Sequence, residues 1–183
     1  MNGKKEIRSK ILKIRKALCE DEVRELSRAI CHRVCGTEEY TRAGSVCLYM
    51  PINNEVDVTY MMDAADRDGK RIWLPRVKDG RMEFCSYEKG KPLVAGAFGI
   101  PEPDSQKRLE ADGNTLVIMP GAVFSEKRDR IGYGGGYYDV FLHDNPQCMT
   151  VAVCYDFQIL TELPAEEHDI KPDVIVSSRR ILR

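Results

Sequence analysis

Short apolar runs alternate with helical patterns along most of this chain, and that alternation limits the folds it can adopt. The runs are SVCLYM (45–50), RIWLP (71–75), LVIMP (116–120), TVAVCY (150–155) and DVIVSS (173–178). Continuous apolar strands of this length are typical of a sheet that is covered on both faces. MEFCSY (82–87) alternates instead, which predicts an edge or antiparallel strand. We therefore predict an α/β fold of three layers, in which helices flank a mostly parallel central sheet.

Four segments carry the helical period that such a fold requires. The apolar positions of the first, residues 4–18, are Ile7, Ile11, Ile14 and Leu18. Residues 20–35 have a similar stripe, so two N-terminal helices precede the first strand. Residues 58–69 and YYDVFLHD (137–144) complete the set. A chain of 183 residues suits a single domain over residues 1–183.

Charge and composition exclude several classes of protein. The 28 basic residues balance the 29 acidic ones, which gives no electrostatic case for binding nucleic acid or an acidic membrane. No apolar run approaches the length of about 18 residues that spans a membrane. The N-terminus MNGKKEIRSK lacks the apolar core of a secretory signal, and the seven cysteines show no C-x-x-C spacing. We predict a soluble, cytoplasmic protein with reduced thiols.

Proline marks the end of three predicted strands, at Met50-Pro51, Leu74-Pro75 and Met119-Pro120. Each proline is followed by a polar or glycine-containing loop. Because ligands of open α/β sheets bind outside the carboxyl ends of the strands, the loops after Met50 and Met119 are the first candidates for a site.

The second of these loops contains the glycine run DRIGYGGGYYDVFL (129–142). It matches neither the P-loop pattern nor the dinucleotide fingerprint, because no Gly-Lys-Ser/Thr occurs and the glycine spacing is wrong. A glycine loop that opens a helix presents backbone amides and a partial positive charge, which suits a phosphate. Arg128 and Arg130 can add full charges, and Asp139 suits Mg²⁺ that bridges phosphate oxygens. The alternative is a flexible surface turn.

RIGYGGGYYDVFL, following LVIMPGAVFSEKRDR, resembles the signature of the 5-formyltetrahydrofolate cyclo-ligase family, also called 5,10-methenyltetrahydrofolate synthetases. The segments KKEIR, LYMPINNEVD, WLPRV, FGIPEPD and EEHDIKPDVIV are similar to further parts of the family, so that the resemblance covers nearly the whole chain. It implies an ATP- and Mg²⁺-dependent enzyme whose small-molecule substrate is 5-formyltetrahydrofolate. In that reaction ATP phosphorylates the formyl oxygen, N10 closes the ring, and 5,10-methenyltetrahydrofolate, ADP and phosphate are released.

The resemblance also implies roles for individual residues. ATP is expected at Lys4, Lys5, Glu6, Ile7 and Arg8, and at Arg130, Ile131, Gly132, Tyr133, Gly134, Gly135, Gly136, Tyr137 and Tyr138. The folate is expected at Met50, Glu55, Tyr133, Gly134, Gly135, Gly136 and Tyr137, and Mg²⁺ at Asp139 and Asp169. Without the resemblance, Lys4 and Arg8 would be interpreted as a solvated helix face, Met50 as core and Asp169 as a surface acid. We expect a monomer.

Two other functions stay open at this point. The same layering suits a sugar-phosphate isomerase or a CoA-transferase relative, which would use an acid–base carboxylate without ATP. A non-enzymatic RNA-binding module is the second, although the balanced charge and the absence of an aromatic RNA-binding motif argue against it.

Overall fold

The computed structural model describes residues 2–164 and 170–183, and these ranges contain five α-helices and twelve strands. The helices are α1 (Asn2–Lys16), α2 (Glu20–Cys35), α3 (Glu38–Arg42), α4 (Tyr60–Arg67) and α5 (Tyr137–Asp144). The strands are β1 (Ser45–Cys47), β2 (Arg71–Lys78), β3 (Arg81–Tyr87), β4 (Leu93–Ala95), β5 (Pro101–Pro103), β6 (Thr115–Met119), β7 (Val123–Ser125), β8 (Arg130–Ile131), β9 (Met149–Val153), β10 (Ile159–Leu160), β11 (Val174–Val176) and β12 (Ile181–Leu182). In the described part of the chain, no helix has both the length and the apolar character needed to cross a membrane.

A sheet of seven strands in the order β12-β11-β9-β6-β1-β2-β3 forms the centre of the fold. The five strands from β11 to β2 pair in parallel, and the two edge strands β12 and β3 pair antiparallel. This arrangement confirms the predicted mostly parallel sheet. It also confirms the antiparallel strand at MEFCSY, whose alternation reflects its position at the edge.

Side chains of the central strands alternate between two cores, which makes the fold three-layered. Leu116 and Ile118 of β6 point into the core under α2, α3 and α4. Val117 and Met119 point into the opposite core, which includes Leu142 of α5. These four side chains have no exposed surface. A strand that is buried on both faces in this way has to be a continuous apolar run.

Pro75 does not end a strand, contrary to the sequence prediction for RIWLP. β2 continues past it and pairs Pro75 with Phe84 of β3. On the other edge of β2, the Trp73 carbonyl accepts a bond of 2.9 Å from the Leu48 amide. Pro75 faces the same edge of β2 two residues further on, where β1 has already ended. The missing N–H of proline therefore costs no hydrogen bond between strands.

The stripe predicted for the first helix is wrong at one position. Ile7 and Ile11 pack in a third apolar cluster against β7 and β8, and Leu18 packs on the main core. Ile14 is instead 49% exposed, and Arg15 beside it is only 2% exposed. Arg15 follows Ile11 by one helical turn and lies on the same side of α1. The chain therefore buries a guanidinium where the pattern predicts an isoleucine.

The structure contains a second sheet that the sequence patterns did not predict. Its order is β10-β7-β8, and β8 leads directly into the glycine loop. Gln158 fixes the turn before β7, because its Nε2 donates to the Gly121 and Ala122 carbonyls at 3.0 and 2.9 Å. This sheet supports α1 and the glycine loop side by side.

Candidate active site

A cleft of about 790 Å³ lies at the carboxyl ends of β1 and β6, where the sequence predicts a site. Its lining comes from α1, the loops after β1 and β6, strands β2, β3 and β8, the β4–β5 hairpin, and the glycine loop with the start of α5. Of the predicted ATP and folate positions, those that line the cleft are Lys4, Arg8, Met50, Glu55, Arg130, Ile131, Gly132, Tyr133, Gly134, Gly135, Gly136, Tyr137 and Tyr138. Asp139, predicted for Mg²⁺, also lines it.

The backbone of the glycine loop requires glycine at two positions. Gly134 has φ +101° and Gly136 has φ +67°, both in the left-handed region that L side chains rarely adopt. Gly136 is the residue that precedes the first turn of α5. Gly135 has no such φ, but a Cβ there would lie 2.8 Å from the Tyr137 ring. The loop therefore presents bare backbone to the cleft at the amino end of a helix.

Arg130 spans the base of the glycine loop. Its Nη2 donates to the Asp139 Oδ1 at 2.7 Å, and its Nη1 lies 3.4 Å from the Pro120 carbonyl. The Arg130 side chain is 6% exposed and the Asp139 side chain 32% exposed. The Arg130 Nε is buried, with no hydrogen-bond acceptor among the residues that the structure describes. Asp139 is thus half of an ion pair as well as a candidate metal ligand.

Arg128 does not contribute to the cleft, contrary to the expectation that it adds a charge beside the glycine loop. Its Nη1 donates to the Asp173 carbonyl at 2.8 Å and to the Pro172 carbonyl at 3.2 Å. The residue has φ +66° in the turn between β7 and β8. That turn directs the side chain towards the segment before β11.

Helix α1 brings only part of its predicted set to the cleft. Lys4 and Arg8, one turn apart, both line it, and the Arg8 Nη1 donates to the Gly132 carbonyl at 3.3 Å. Between them, Lys5 is exposed, Glu6 pairs with Lys10, and Ile7 packs against the cluster under β7. Lys5, Glu6 and Ile7 thus lie outside the cleft lining, and their role in binding ATP stays a prediction.

Glu55 is a buried acid that the loop after β1 contributes to the cleft lining. It is 5% exposed, and its Oε2 accepts a bond of 2.9 Å from the Ile52 amide. Burial raises the pKa of the Glu55 carboxyl, and interactions with Tyr133, the Ile52 amide and Arg15 offset part of that rise. Met50 lines the cleft nearby and also packs against the main core, and its contact with the folate stays a prediction.

Arg15 is a site-associated residue that the sequence patterns did not single out. Its Nη1 donates to the Tyr133 hydroxyl at 2.5 Å, and its Nε donates to the Asn53 carbonyl at 3.0 Å. The signal lay in the spacing: Arg15 follows Lys4 by 11 residues, which is close to three helical turns. Lys4, Arg8 and Arg15 therefore lie on one face of α1.

The β4–β5 hairpin supplies two further cleft residues without a predicted role. Phe98, at the turn of the hairpin, is 76% exposed, has φ +57°, and meets the Tyr137 ring edge-on at 6.1 Å. Glu102 is 7% exposed and accepts from the Val77 and Ala97 amides, each at 3.1 Å. Both belong to the FGIPEPD segment, for which the sequence indicates only a likeness to the family.

Of the two residues predicted to bind Mg²⁺, Asp139 lines the cleft. Asp169 lies outside the described residues. Within residues 2–164 and 170–183, no group of three or more His, Cys, Asp or Glu could hold a metal ion without other ligands. A cation at Asp139 would need oxygens from a bound phosphate as well, which is the usual way proteins hold Mg²⁺.

The fold and the cleft define an α/β protein whose candidate ligand site lies where the parallel strands of its sheet end. Its lining includes a glycine loop at the amino end of a helix and a buried carboxylate.

A family model confirms the resemblance noted in the sequence. The model of the 5-formyltetrahydrofolate cyclo-ligase family matches residues 1–178, and the chain belongs to that family. A probable 5-formyltetrahydrofolate cyclo-ligase of Schizosaccharomyces pombe is 32% identical over 175 residues, covering 86% of each chain. The 5-formyltetrahydrofolate cyclo-ligase of Escherichia coli strain K12 is 28% identical over 91% of this chain and 96% of its own. These relatives are ligases, and the chain is an enzyme of that class.

A solved structure agrees. The 5,10-methenyltetrahydrofolate synthetase of Aquifex aeolicus superposes with a TM-score of 0.86 at 33% identity, over 98% of this chain and 92% of that one. The isomerase, CoA-transferase and RNA-binding alternatives are therefore discarded.

Proposed function

We propose that the chain closes the ring of 5-formyltetrahydrofolate to 5,10-methenyltetrahydrofolate at the expense of ATP. The observation that carries the proposal is the cleft, whose lining combines groups that suit an anion with groups that suit a ring. One part of the lining is the glycine loop with Lys4, Arg8 and Arg130, and another part contains Met50 and Glu55. The names of the relatives supply the substrate.

The reaction has two chemical steps. The formyl oxygen attacks the γ-phosphorus, the bond to the bridging oxygen breaks, and ADP leaves. The N10 lone pair then attacks the formyl carbon, the carbon–oxygen bond breaks to release phosphate, and N10 gives up its proton. Neither step needs a nucleophile from the protein, so catalysis rests on positioning and on neutralising charge.

The glycine loop and α1 suit the phosphates of ATP. The left-handed glycines Gly134 and Gly136 expose backbone amides beside the amino end of α5, which favours an anion. Arg8 is held against the Gly132 carbonyl and lines the same wall as Lys4. These residues would orient the γ-phosphate towards the formyl group.

The part of the lining that contains Met50 and Glu55 suits a pterin. The Glu55 carboxylate can accept from two N–H donors of the ring, and Met50 offers an apolar contact. The Tyr137 and Phe98 rings stand edge to face nearby and offer flat faces to the remaining part of the folate.

Asp139 fits Mg²⁺ as one carboxylate ligand beside bound phosphates, and Asp169 is proposed as the second. The Asp139 Oδ1 is engaged by Arg130, which leaves Oδ2 as the oxygen for a cation. When bound, Mg²⁺ would neutralise charge on the phosphate oxygens. Arg130 would hold Asp139 in the required rotamer and add its own charge to the loop.

The direct test follows the absorbance of 5,10-methenyltetrahydrofolate with purified protein. We expect product only when 5-formyltetrahydrofolate, ATP and Mg²⁺ are all present, with one ADP released for each ring closed. Product without ATP, or no product under any combination, would refute the proposal. The cytoplasmic location and the monomeric state stay predictions of the sequence.

A further inference from the structure

Arg15 has contacts that neither phosphate binding nor pterin binding accounts for. It belongs to α1, is 2% exposed, and lies behind the cleft wall. Its Nη1 donates to the Tyr133 hydroxyl in the glycine loop, and its guanidinium carbon lies 5.5 Å from the Tyr133 ring centre. One side of this guanidinium is thus committed to the glycine loop, which is expected to hold the phosphates of ATP.

The same guanidinium is committed to the folate side. Its Nε donates to the Asn53 carbonyl at 3.0 Å, and its Nη1 lies 3.9 Å from the Glu55 Oε1. Asn54, between these two residues in the loop after β1, donates from its side chain to the Leu18 carbonyl at 3.0 Å and to the Arg15 carbonyl at 3.3 Å. The loop after β1 is therefore fastened to the end of α1.

We propose that Arg15 is a positioning residue that couples the two ligand loops, so that ATP and 5-formyltetrahydrofolate each increase the affinity for the other. The inference rests on the proposed function for the identity of the ligands. A guanidinium is planar, and its donors keep fixed relative directions. A buried one cannot give up an acceptor without leaving an unpaired charged donor. A shift of Tyr133 is thus transmitted to Asn53 and Glu55 through one rigid group.

Coupling of this kind has to be reciprocal, because both ligands bias the same arrangement of the loops. ATP orders the glycine loop and with it Tyr133. Tyr133 then fixes Arg15, which holds Asn53 and Glu55 in the geometry that the pterin requires. Folate bound first would act in the opposite direction through the same contacts.

The test measures the affinity of 5-formyltetrahydrofolate by calorimetry, with and without saturating adenylyl imidodiphosphate and Mg²⁺. This non-hydrolysable ATP analogue prevents turnover. In the wild type we expect the analogue to tighten folate binding at least about fivefold. In Arg15→Gln we expect each ligand still to bind in the absence of the other. The ratio of the folate affinities with and without the analogue should fall to about one. Arg24→Gln makes the same change at an exposed surface ion pair and should keep the wild-type ratio.

Three results would overturn the inference: no tightening in the wild type, an unchanged ratio in Arg15→Gln, or loss of folate binding under both conditions in folded Arg15→Gln. If melting shows that Arg15→Gln does not fold, Tyr133→Phe replaces it, since it removes the hydroxyl that accepts from Arg15 and keeps the ring. A wild-type ratio in Tyr133→Phe would equally contradict the coupling. A chain that closes the ring without coupling refutes this inference alone, whereas a chain that binds neither ligand refutes the proposed function too.

Discussion

At the scale of single residues, the glycine loop shows that neighbouring glycines exclude a side chain for different reasons. Gly134 and Gly136 have positive φ, so their cost on substitution is conformational. Gly135 has an ordinary φ, and its constraint is the Tyr137 ring, a side chain that lines the cleft.

We predict that Gly134→Ala and Gly136→Ala each lower the free energy of unfolding by about 1 kcal/mol or more. Gly135→Ala should keep most of the stability but displace the Tyr137 ring, and so reduce the rate of ring closure. Melting temperature and rate, measured on all three variants, check both statements. If every variant loses rate only in proportion to lost folded protein, the loop is a structural turn.

The Arg130–Asp139 pair changes what a metal test at Asp139 can show. Asp139→Asn keeps the shape but leaves the buried Arg130 without its carboxylate. We expect a loss of about 1–3 kcal/mol of stability in addition to a loss of activity. Excess Mg²⁺ should restore part of the activity and none of the stability. Full activity with unchanged melting would remove Asp139 from the site. Asp144→Asn, at the other end of the same helix, is the control.

Glu55 predicts a dependence of stability on pH. Its folded-state pKa lies above the ordinary value of 4.5, so its contribution to stability is complete below pH 4.5 and is lost as the pH rises through the folded-state pKa. Glu55→Gln cannot ionise, and its stability relative to the wild type should therefore increase as the pH rises from 4.5 towards neutrality. Urea unfolding across that window measures the difference.

If the free energies of unfolding of the wild type and Glu55→Gln differ by the same amount at every pH, this prediction is wrong. Glu88→Gln, at an exposed site, serves as control. The side chains that act on the Glu55 carboxyl are Arg15, Tyr49, Tyr133, Tyr138 and Tyr155. Burial raises the pKa of each of these tyrosines, so none of them titrates in the window that is measured.

At the scale of elements, α1 serves the site with one face and the core with an adjacent one. Lys4 and Arg8 reach the cleft, Arg15 reaches both loops, and Ile7 and Ile11 pack under β7. Both halves of the helix therefore carry residues of each kind.

We predict that deletion of residues 1–8 abolishes ring closure while the remainder folds. The deletion removes Ile7 from the apolar cluster under β7, whereas Ile11 and Arg15 remain in place. Circular dichroism melting and the absorbance assay separate the two effects. Deletion of residues 1–3, which keeps Lys4 and Arg8, is the matched control and should stay active. Full activity in the longer deletion would show that this end is a solvated helix.

At the scale of the whole molecule, the cleft gathers segments that are distant in the chain. Arg15 and Tyr133, which are hydrogen-bonded, are separated by 118 positions, and Tyr155 and Glu55 by 100. Each link crosses between segments that the two sheets have brought together, so the site exists only in the complete fold.

Ligands should therefore stabilise the whole chain in a single transition. We predict that adenylyl imidodiphosphate with 5-formyltetrahydrofolate raises the melting temperature. A ligand at a hundred times its Kd should add about 2.7 kcal/mol to the free energy of unfolding. Hydrogen exchange should slow together in residues 4–16, 50–57 and 130–139. Adenosine, which lacks phosphates, is the control and should protect the glycine loop far less. Protection confined to one segment would contradict a shared site.

The sequence alone was sufficient for the features that depend on neighbours along the chain. Strands buried on both faces must be apolar runs, and LVIMP predicted β6 with an error of one residue. The helical period predicted α2 at its observed bounds. The rule that ligands bind at the carboxyl ends of strands, together with the glycine run, located the cleft on the correct loops. These signals are local, or follow from topology.

Only the tertiary structure decided which side chains meet. The buried Arg15 and the exposed Ile14 reverse what the helical stripe predicts, because the acceptors for Arg15 come from loops far along the chain. The Arg130–Asp139 pair likewise depends on how the glycine loop turns into α5. β7, β8 and β10 have two or three residues each, too few for a periodic signal, and are defined by pairing. A sequence pattern reflects only whether each side chain is polar or apolar. Whether a charged side chain can be buried depends on hydrogen-bond partners that come from elsewhere in the fold.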